Sequence, residues 1–370
     1  MKKLNILIFS FFGLLCLSSC SDMLETDSEL VEFEKDNTLS HPTDSVYSVL
    51  GILTKMQDII DRVVVLGEVR GDLVTVTDAA SADLKNLASF NLSEDNKYNV
   101  VADYYAVINN CNYYLAHVDT AMTRRGRKLF LSEYAAVKVI RAWTYLQLGM
   151  AYGKVPYVTK PLMTEAEARN AMNGPRLEIA ELCDKLIEDL QKDSVANQPA
   201  LQLTSSTIAN QITSQFFYPA KVMLGDLNLW AGHYQEAARW YHDYLNDRVK
   251  PVTLDVENRI TWNSNSFFKI TNLKDRYLVT SSLETLSYIP MEENVFEGVV
   301  SELPDLFEST EKNYGFYQLT PSDGMRALSA AQNYCMEYVN DDRTQIDTLY
   351  IPKTGLFAQE AAGDLRLYTN

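Results

Sequence analysis

The chain has 370 residues, 46% apolar and 22% charged, with 15 Gly and 11 Pro. That composition is globular, which excludes collagen-like and disordered classes, and the length exceeds one ordinary hydrophobic core. Forty-nine acidic against 33 basic residues leave a formal charge of −16, which argues against any partner bound by neutralising phosphates, nucleic acid above all.

Residues 1–19 read as a secretory leader. Lys2 and Lys3 precede an apolar run from Leu4 to Leu17, too short for a bilayer span of about 20 residues. Leu17-Ser18-Ser19-Cys20 follows. A large aliphatic residue, two small ones and a Cys resemble the lipobox of bacterial lipoproteins, where the Cys is acylated and becomes the mature N-terminus. Two or three acyl chains, each buried CH₂ contributing roughly 0.8 kcal/mol, anchor a protein stably. Residues 20–42 carry Asp22, Glu25, Asp27, Glu29, Glu32, Glu34 and Asp36 against Lys35. Such a segment repels itself and extends, so it reads as an acidic tether.

Residues 43–250 are predicted to be helical repeats. Val46, Leu50, Leu53, Ile59 and Ile60 predict a first helix over 44–61, with Asp44 as its N-cap. Tyr98, Val101, Tyr105, Ile108 and Leu115 predict a second over about 96–118. The basic cluster Thr123 to Lys128 reads as a solvated inter-helix loop. Residues 129–152 are apolar nearly all round, the pattern of a helix at the centre of a stack. Arg141 interrupts it and needs a carboxylate or several carbonyls to offset its desolvation. Gly153 ends this helix, and Lys154-Val155-Pro156-Tyr157 continues extended. Residues 177–191 form an amphipathic stripe, with Pro175 suited to the first turn. Leu224, Gly225, Gly232, Tyr234, Ala237 and Tyr241 then fall at the offsets of a tetratricopeptide hairpin, whose small residues let two helices approach while aromatics fill the gap. Asn228 and Tyr244 depart from that pattern. Residues 251–370, richer in Thr, Val, Ser and Asn and interrupted by Pro290, Pro304, Pro321 and Pro352, predict short strands and long loops. The expected fold is mainly α: stacked tetratricopeptide-like hairpins with a loop-rich insertion of a few short strands.

Outside the leader, Cys111, Cys183 and Cys335 are too few and odd in number for a disulfide framework. They read as buried thiols, although two could pair in an oxidising compartment. HExxH, GxSxG and P-loop patterns are absent, and His41, His117, His233 and His242 lack metal-ligand spacing. No cofactor, metal or catalytic residue is expected.

The order of these features resembles the SusD/RagB family of outer-membrane nutrient-binding lipoproteins of the Bacteroidetes. Cys20 to Glu25 is similar to the family's start. Glu68-Val69-Arg70-Gly71-Asp72 is similar to its "elxxD" segment, and Tyr105 to Asn112 to its "YxxIxxxN" helix. Arg141-Ala142-Trp143-Thr144-Tyr145, leading to Gly153-Lys154-Val155-Pro156-Tyr157, resembles "RAxxYFxLxxxyGxVPy" most specifically. Glu188-Asp189-Leu190 resembles its "IxxDL" helix, and Leu224 to Tyr241 its "LWxGxYxxA" hairpin. Beyond 250 only Gly363 to Leu367 is similar, to a "DxRL" segment. In the family more repeat hairpins follow that segment, so a truncated product or a short divergent member is expected.

The resemblance implies a non-enzymatic, lipid-anchored protein of the outer-membrane surface. It would cap a SusC-type TonB-dependent transporter and deliver an oligosaccharide, or less often a peptide. Aromatic faces stack on sugar faces, so Trp262, Tyr277, Tyr288, Tyr314 and Tyr317 are the candidate platforms, although an ordinary packed aromatic is the commoner role for each. A scaffold subunit without a small ligand is the alternative, and a surface glycosidase the weakest reading. Asp44-Ser45-Val46, Asp119-Thr120-Ala121, Asp193-Ser194-Val195 and Asp347-Thr348-Leu349 resemble the phylum's O-glycosylation site; two of them equally suit helix caps.

Overall fold

A computed structural model describes residue 39 and residues 41–203, 205–208, 211–249, 286–291, 298–307, 316–325, 327, 334–339 and 346–351. The leader, Cys20, most of the tether, Trp262, Tyr277, Tyr314 and the Gly363 to Leu367 segment lie outside the described residues.

The first helix, α1, runs from Pro42 to Glu68. Its cap is His41, whose Nδ1 accepts from the Thr43 N–H, and Pro42 opens the first turn. Asp44 therefore sits inside the helix, not at its cap. There its charge meets the positive end of the helix dipole. Strand β1 (Val74–Val76) and the short helix α2 (Ala82–Ala88) follow, then α3 (Val101–His117). The basic cluster is a hairpin of β2 (Thr123–Arg124) and β3 (Arg127–Lys128). Arg125 and Gly126 both take positive φ at its tip, as a two-residue turn between twisted strands requires.

Helix α4 (Leu131–Tyr152) is buried along most of its length. Gly153 stops it at φ 76, a conformation that a Cβ would strain. Strand β4 (Val155–Pro156) pairs with β5 (Arg176–Leu177) across the capping-box helix α5 (Glu165–Met172). Helix α6 (Ile179–Gln191) buries the expected stripe of Leu182, Cys183, Leu186, Ile187 and Leu190. Pro175 is not in its first turn: it lies just before β5, because that strand takes the residues between the proline and the helix.

After a 3₁₀ turn (Lys192–Asn197) and the β6–β7 hairpin (Thr207–Ile208, Gln211–Ile212), helices α7 (Ala220–Ala231) and α8 (Tyr234–Val249) form the tetratricopeptide-like hairpin. A Cβ on Gly225 would lie 2.6 Å from Cδ1 of Tyr241, so the ring rests directly on the glycine. Ala237 is buried, and Gly232 makes the left-handed turn at φ 85. Tyr234 does not fill the gap between these helices. It begins α8 and stands exposed, because Tyr241 already occupies that space.

Packing runs in chain order: α1 on α3, α3 on α4, α4 on α6, α6 on α7 and α7 on α8. The remaining elements among the described residues are α9 (Leu303–Phe307), β8 (Leu319–Pro321) and a hairpin of β9 (Tyr334–Val339) with β10 (Ile346–Ile351). The architecture is thus mainly α, stacked hairpins with a few short strands. No helix among the described residues is long and apolar enough to cross a membrane.

Candidate functional site

One corner of the stack is built from segments far apart in the chain. β8 pairs antiparallel with β1, placing Thr75 opposite Thr320. The Thr77 N–H donates to the Gln318 carbonyl (2.9 Å), and the Thr77 hydroxyl to the Tyr317 carbonyl (2.8 Å). The Ser81 N–H donates to Gln318 Oε1 (2.9 Å). Beneath these bonds Val65, Leu66, Leu84, Leu87, Tyr98, Leu306 and Leu319 form a separate small core. The segment entering β8 is therefore fixed by its backbone, and its side chains are left outward. Phe316 is 66% exposed and Tyr317 46%. At the other end of α2, about 10 Å along its axis, Phe90 is 74% exposed. It holds φ 57 at the C-terminal turn, where the Asn91 N–H donates to Asn86 O (2.8 Å). A left-handed residue with a Cβ costs about 1–2 kcal/mol, and this one buries no ring in return.

The predicted platforms divide. Tyr317 stands exposed at this corner. Tyr288 is packed: its ring meets Phe216 edge-on at 5.4 Å, its N–H donates to Gln215 O and its hydroxyl to Ile212 O. Its ring closes a structural contact, because the chain must fasten residues 286–291 onto the stack; Gln57 does the same by donating to Pro290 O (2.6 Å). Phe316 and Phe90 were not singled out from sequence. A run of adjacent aromatics, Phe316-Tyr317, is the signal that could have found the first. Nothing local marks the second.

Two clefts lie elsewhere. One of about 720 Å³ is lined by Phe217, Tyr218 and Tyr244 together with Ser132, Gln198 and Gln215. Gln215 Oε1 has no hydrogen-bond partner among the described residues. The other, of about 430 Å³, opens over Arg141 between α4, α6 and the loop after β4.

Arg141 has the partner its sequence context demands. Its NH2 lies 2.7 Å from Asp189 Oδ2, and its NH1 donates to Asn112 Oδ1 at 2.7 Å. Lys138 Nζ sits 3.2 Å from Asp189 Oδ1. Burial, the largest single influence, pushes the Asp189 carboxyl up, but Arg141 and Lys138 together hold it below the ordinary carboxylate range. Tyr145 acts structurally too: its hydroxyl donates to Val158 O and accepts from the Val158 N–H. Pro156 O accepts from the Tyr105 hydroxyl (2.8 Å). Cys111 and Cys183 are free, and burial pushes both thiols up to about 12. Ser45, the hydroxyl of one Asp-Ser motif, is buried against Glu133 and Tyr114 and is closed to modification. Among the described residues no group of three His, Cys, Asp or Glu side chains is placed to hold a metal.

No family model matches the chain, and no curated protein is similar to it. Solved structures are similar in fold. A SusD superfamily protein from Bacteroides thetaiotaomicron superposes at a TM-score of 0.57 with 13% identity, over 78% of this chain and 62% of that one. The fold is SusD-like. A surface glycan-binding protein A from Bacteroides uniformis gives 0.53 and 14%, covering 85% of this chain and 66% of that one. A SusD-like carbohydrate binding protein from Bacteroides fragilis gives 0.51 and 17%, covering 73% and 47%. The chain thus spans between about half and two thirds of the length of these SusD-like structures.

Proposed function

We propose that this chain is a SusD/RagB-type lipoprotein, anchored to the outer membrane through Cys20. In this reading it captures an oligosaccharide at the cell surface and passes it to a SusC-type TonB-dependent transporter, without catalysing a reaction. The observation that carries the reading is the pair of exposed rings, Phe316 and Tyr317, on a segment whose backbone is fastened to a rigid helical stack. Rings carried on a backbone already fastened suit stacking on the apolar faces of sugars, with less to order on binding. The leader, the lipobox-like Cys20 and the SusD-like fold support the same assignment, and two of the structures of similar fold are described as carbohydrate or glycan binding. In this reading residues 20–42 are the tether, and residues 251–370 supply the ligand-facing part.

Affinity electrophoresis across a glycan panel tests it. At least one glycan retards the protein, and the double substitution Phe316→Ala/Tyr317→Ala abolishes the retardation while leaving the melting temperature within a degree or so of the parent, since surface changes shift stability by about 0.5 kcal/mol or less. Retardation by no glycan, together with no co-purifying transporter, removes the proposal.

The scaffold reading has one observation of its own. Leu229, Trp230 and Tyr234 stand exposed together on the last hairpin, a face suited to another protein. Transporter pull-down that survives loss of both Phe316 and Tyr317 rings, in a protein no glycan retards, is its signature.

A further inference from the structure

The cleft over Arg141 differs in charge from the chain that carries it. Lys138, Arg141, Lys160, Lys185 and Lys192 line it against Glu188 and Asp189, on a protein whose formal charge is −16. The cations fall into two tiers. On the floor, Lys138 and Arg141 are matched by Asp189 and by Asp193, which lies 3.2 Å from Lys138 Nζ. Arg141 is only 4% exposed, and its Nε–H has no acceptor among the described residues. On the rim, Lys192 pairs with Glu188 at 3.0 Å. Lys160 and Lys185 have no hydrogen-bond or ion-pair partner for their amines among the described residues; Lys185 helps to lower the Glu188 carboxyl through space.

The rim is a built structure rather than a loose loop. Asn112 donates to the carbonyls of Val158 (3.0 Å) and Lys160 (3.2 Å). Asn109 donates to Leu162 O (3.0 Å) and accepts from the Leu162 N–H (2.7 Å). Together with the two bonds of the Tyr145 hydroxyl to Val158, these side chains strap residues 158–162 onto α3 and α4. They hold the backbone of Lys160 in place beside the cleft. Tyr157, half-buried and tilted on Tyr145 at a ring separation of 5.2 Å, supplies an aromatic surface in the wall. The volume of about 430 Å³ lies within the range of small-ligand sites, about 300–1,000 Å³.

We propose that this cleft binds the acidic residue of an anionic saccharide, the carboxylate or sulfate lying between Lys160 and Lys185 and the sugar ring against Tyr157. The proposal rests on the reading of the protein as a saccharide-capturing one, and adds to the Phe316–Tyr317 corner a second subsite selective for acidic saccharides. Charge-assisted bonds from two uncommitted ammonium groups favour the anion, and the acidic surface elsewhere disfavours its diffuse association. Because Lys160 and Lys185 are exposed and serve no internal ion pair, their removal leaves the fold intact.

Titration calorimetry of the detergent-solubilised full-length protein provides the test, with trigalacturonic acid, its methyl ester, a sulfated chondroitin disaccharide and sodium sulfate as probes. One of the two acidic saccharides binds at least about tenfold more tightly than the ester, and the variant Lys160→Ala/Lys185→Ala loses that margin. Raising salt to about 0.5 M weakens the same binding, whereas the surface control Lys128→Ala changes nothing. The sulfated probe binding alone identifies sulfate as the group; the uronate binding alone identifies carboxylate. The proposal is overturned if the ester binds as well as the acid, if the double variant binds unchanged, if no acidic probe binds, or if sodium sulfate binds as tightly as either saccharide. Retardation of the Lys160→Ala/Lys185→Ala protein by a neutral glycan, with no acidic probe bound by the parent, removes this cleft and leaves saccharide capture standing.

Discussion

In the helical stack most buried faces meet a helix close by in the chain: α3 on α4, α6 on α7, α7 on α8. The corner that carries Phe316 and Tyr317 is assembled differently. Its small core joins Val65 and Leu66 at the end of α1 to Leu306 and Leu319, and its hydrogen bond between Thr77 and Tyr317 spans 240 residues. The stack closes short loops, whereas the corner closes one very long one, and loop closure costs more entropy as the loop lengthens. A few buried side chains must offset that cost. The corner is therefore the part expected to open first, and it is the part that carries the exposed rings.

The largest effect tests the stack. Arg141→Met leaves Asp189 and Asn112 without their guanidinium, and breaking a buried pair of this kind costs about 3–5 kcal/mol. Urea unfolding is expected to show the loss across the whole transition. A stability loss under about 1 kcal/mol would show that the α4–α6 junction does not depend on this pair.

Leu319→Ala tests the corner. Leu319 is buried, and truncating such a residue costs about 2–5 kcal/mol. Faster amide exchange is expected over residues 74–88 with protection of α4 and α6 retained, and glycan retardation should fall with it. Equal loss of protection in both regions would mean that corner and stack unfold as one unit.

Gly225→Ala returns to the stack with a smaller effect. The added methyl meets the Tyr241 ring, whose hydroxyl is held by Asp226 at 2.6 Å. Overpacking of this sort costs about 1–3 kcal/mol. Pairing it with Tyr241→Ala relieves the clash, so the double variant should lose less than the sum of the two single losses.

The smallest effect is a pH dependence. Burial raises the Glu133 carboxyl above its ordinary value, against the lowering effect of hydrogen bonds from Ser45 and Tyr114. A raised folded-state value means that acidification through it favours the folded form, and that the contribution is lost as pH rises again. The stability of the parent relative to Glu133→Gln should therefore improve as pH falls from neutral to the ordinary carboxylate value of about 4.3. A difference that stays constant over that window contradicts the assignment. Asp189 has the opposite sign: its contribution is present above the ordinary carboxylate range and is lost as pH falls through its depressed value.

Much of the stack was legible in the sequence because its signals are local. An all-round apolar run marked α4, helical spacing of apolar residues marked α6, and the Gly225, Gly232 and Ala237 offsets marked the α7–α8 hairpin. The need of a buried Arg for a carboxylate anticipated a partner of the kind Asp189 provides. Errors of a few residues arose where a cap or short strand competed with a helix start, as at His41 and Pro175. The corner was not legible. Tyr317 and Tyr288 look alike in sequence, yet one stands open and the other is packed on Phe216. Which ring faces outward depends on what a segment hundreds of residues away places over it. The order of helices, the turns at Gly153 and Gly232, and the buried charge of Arg141 are written in local sequence, since each follows from periodicity, backbone conformation or desolvation within a few turns of chain. Where β8 docks, which aromatics stay exposed, and that Lys160 and Lys185 share a cleft emerge on folding, because long loop closure and packing between distant segments leave no periodic mark on the residues that take part.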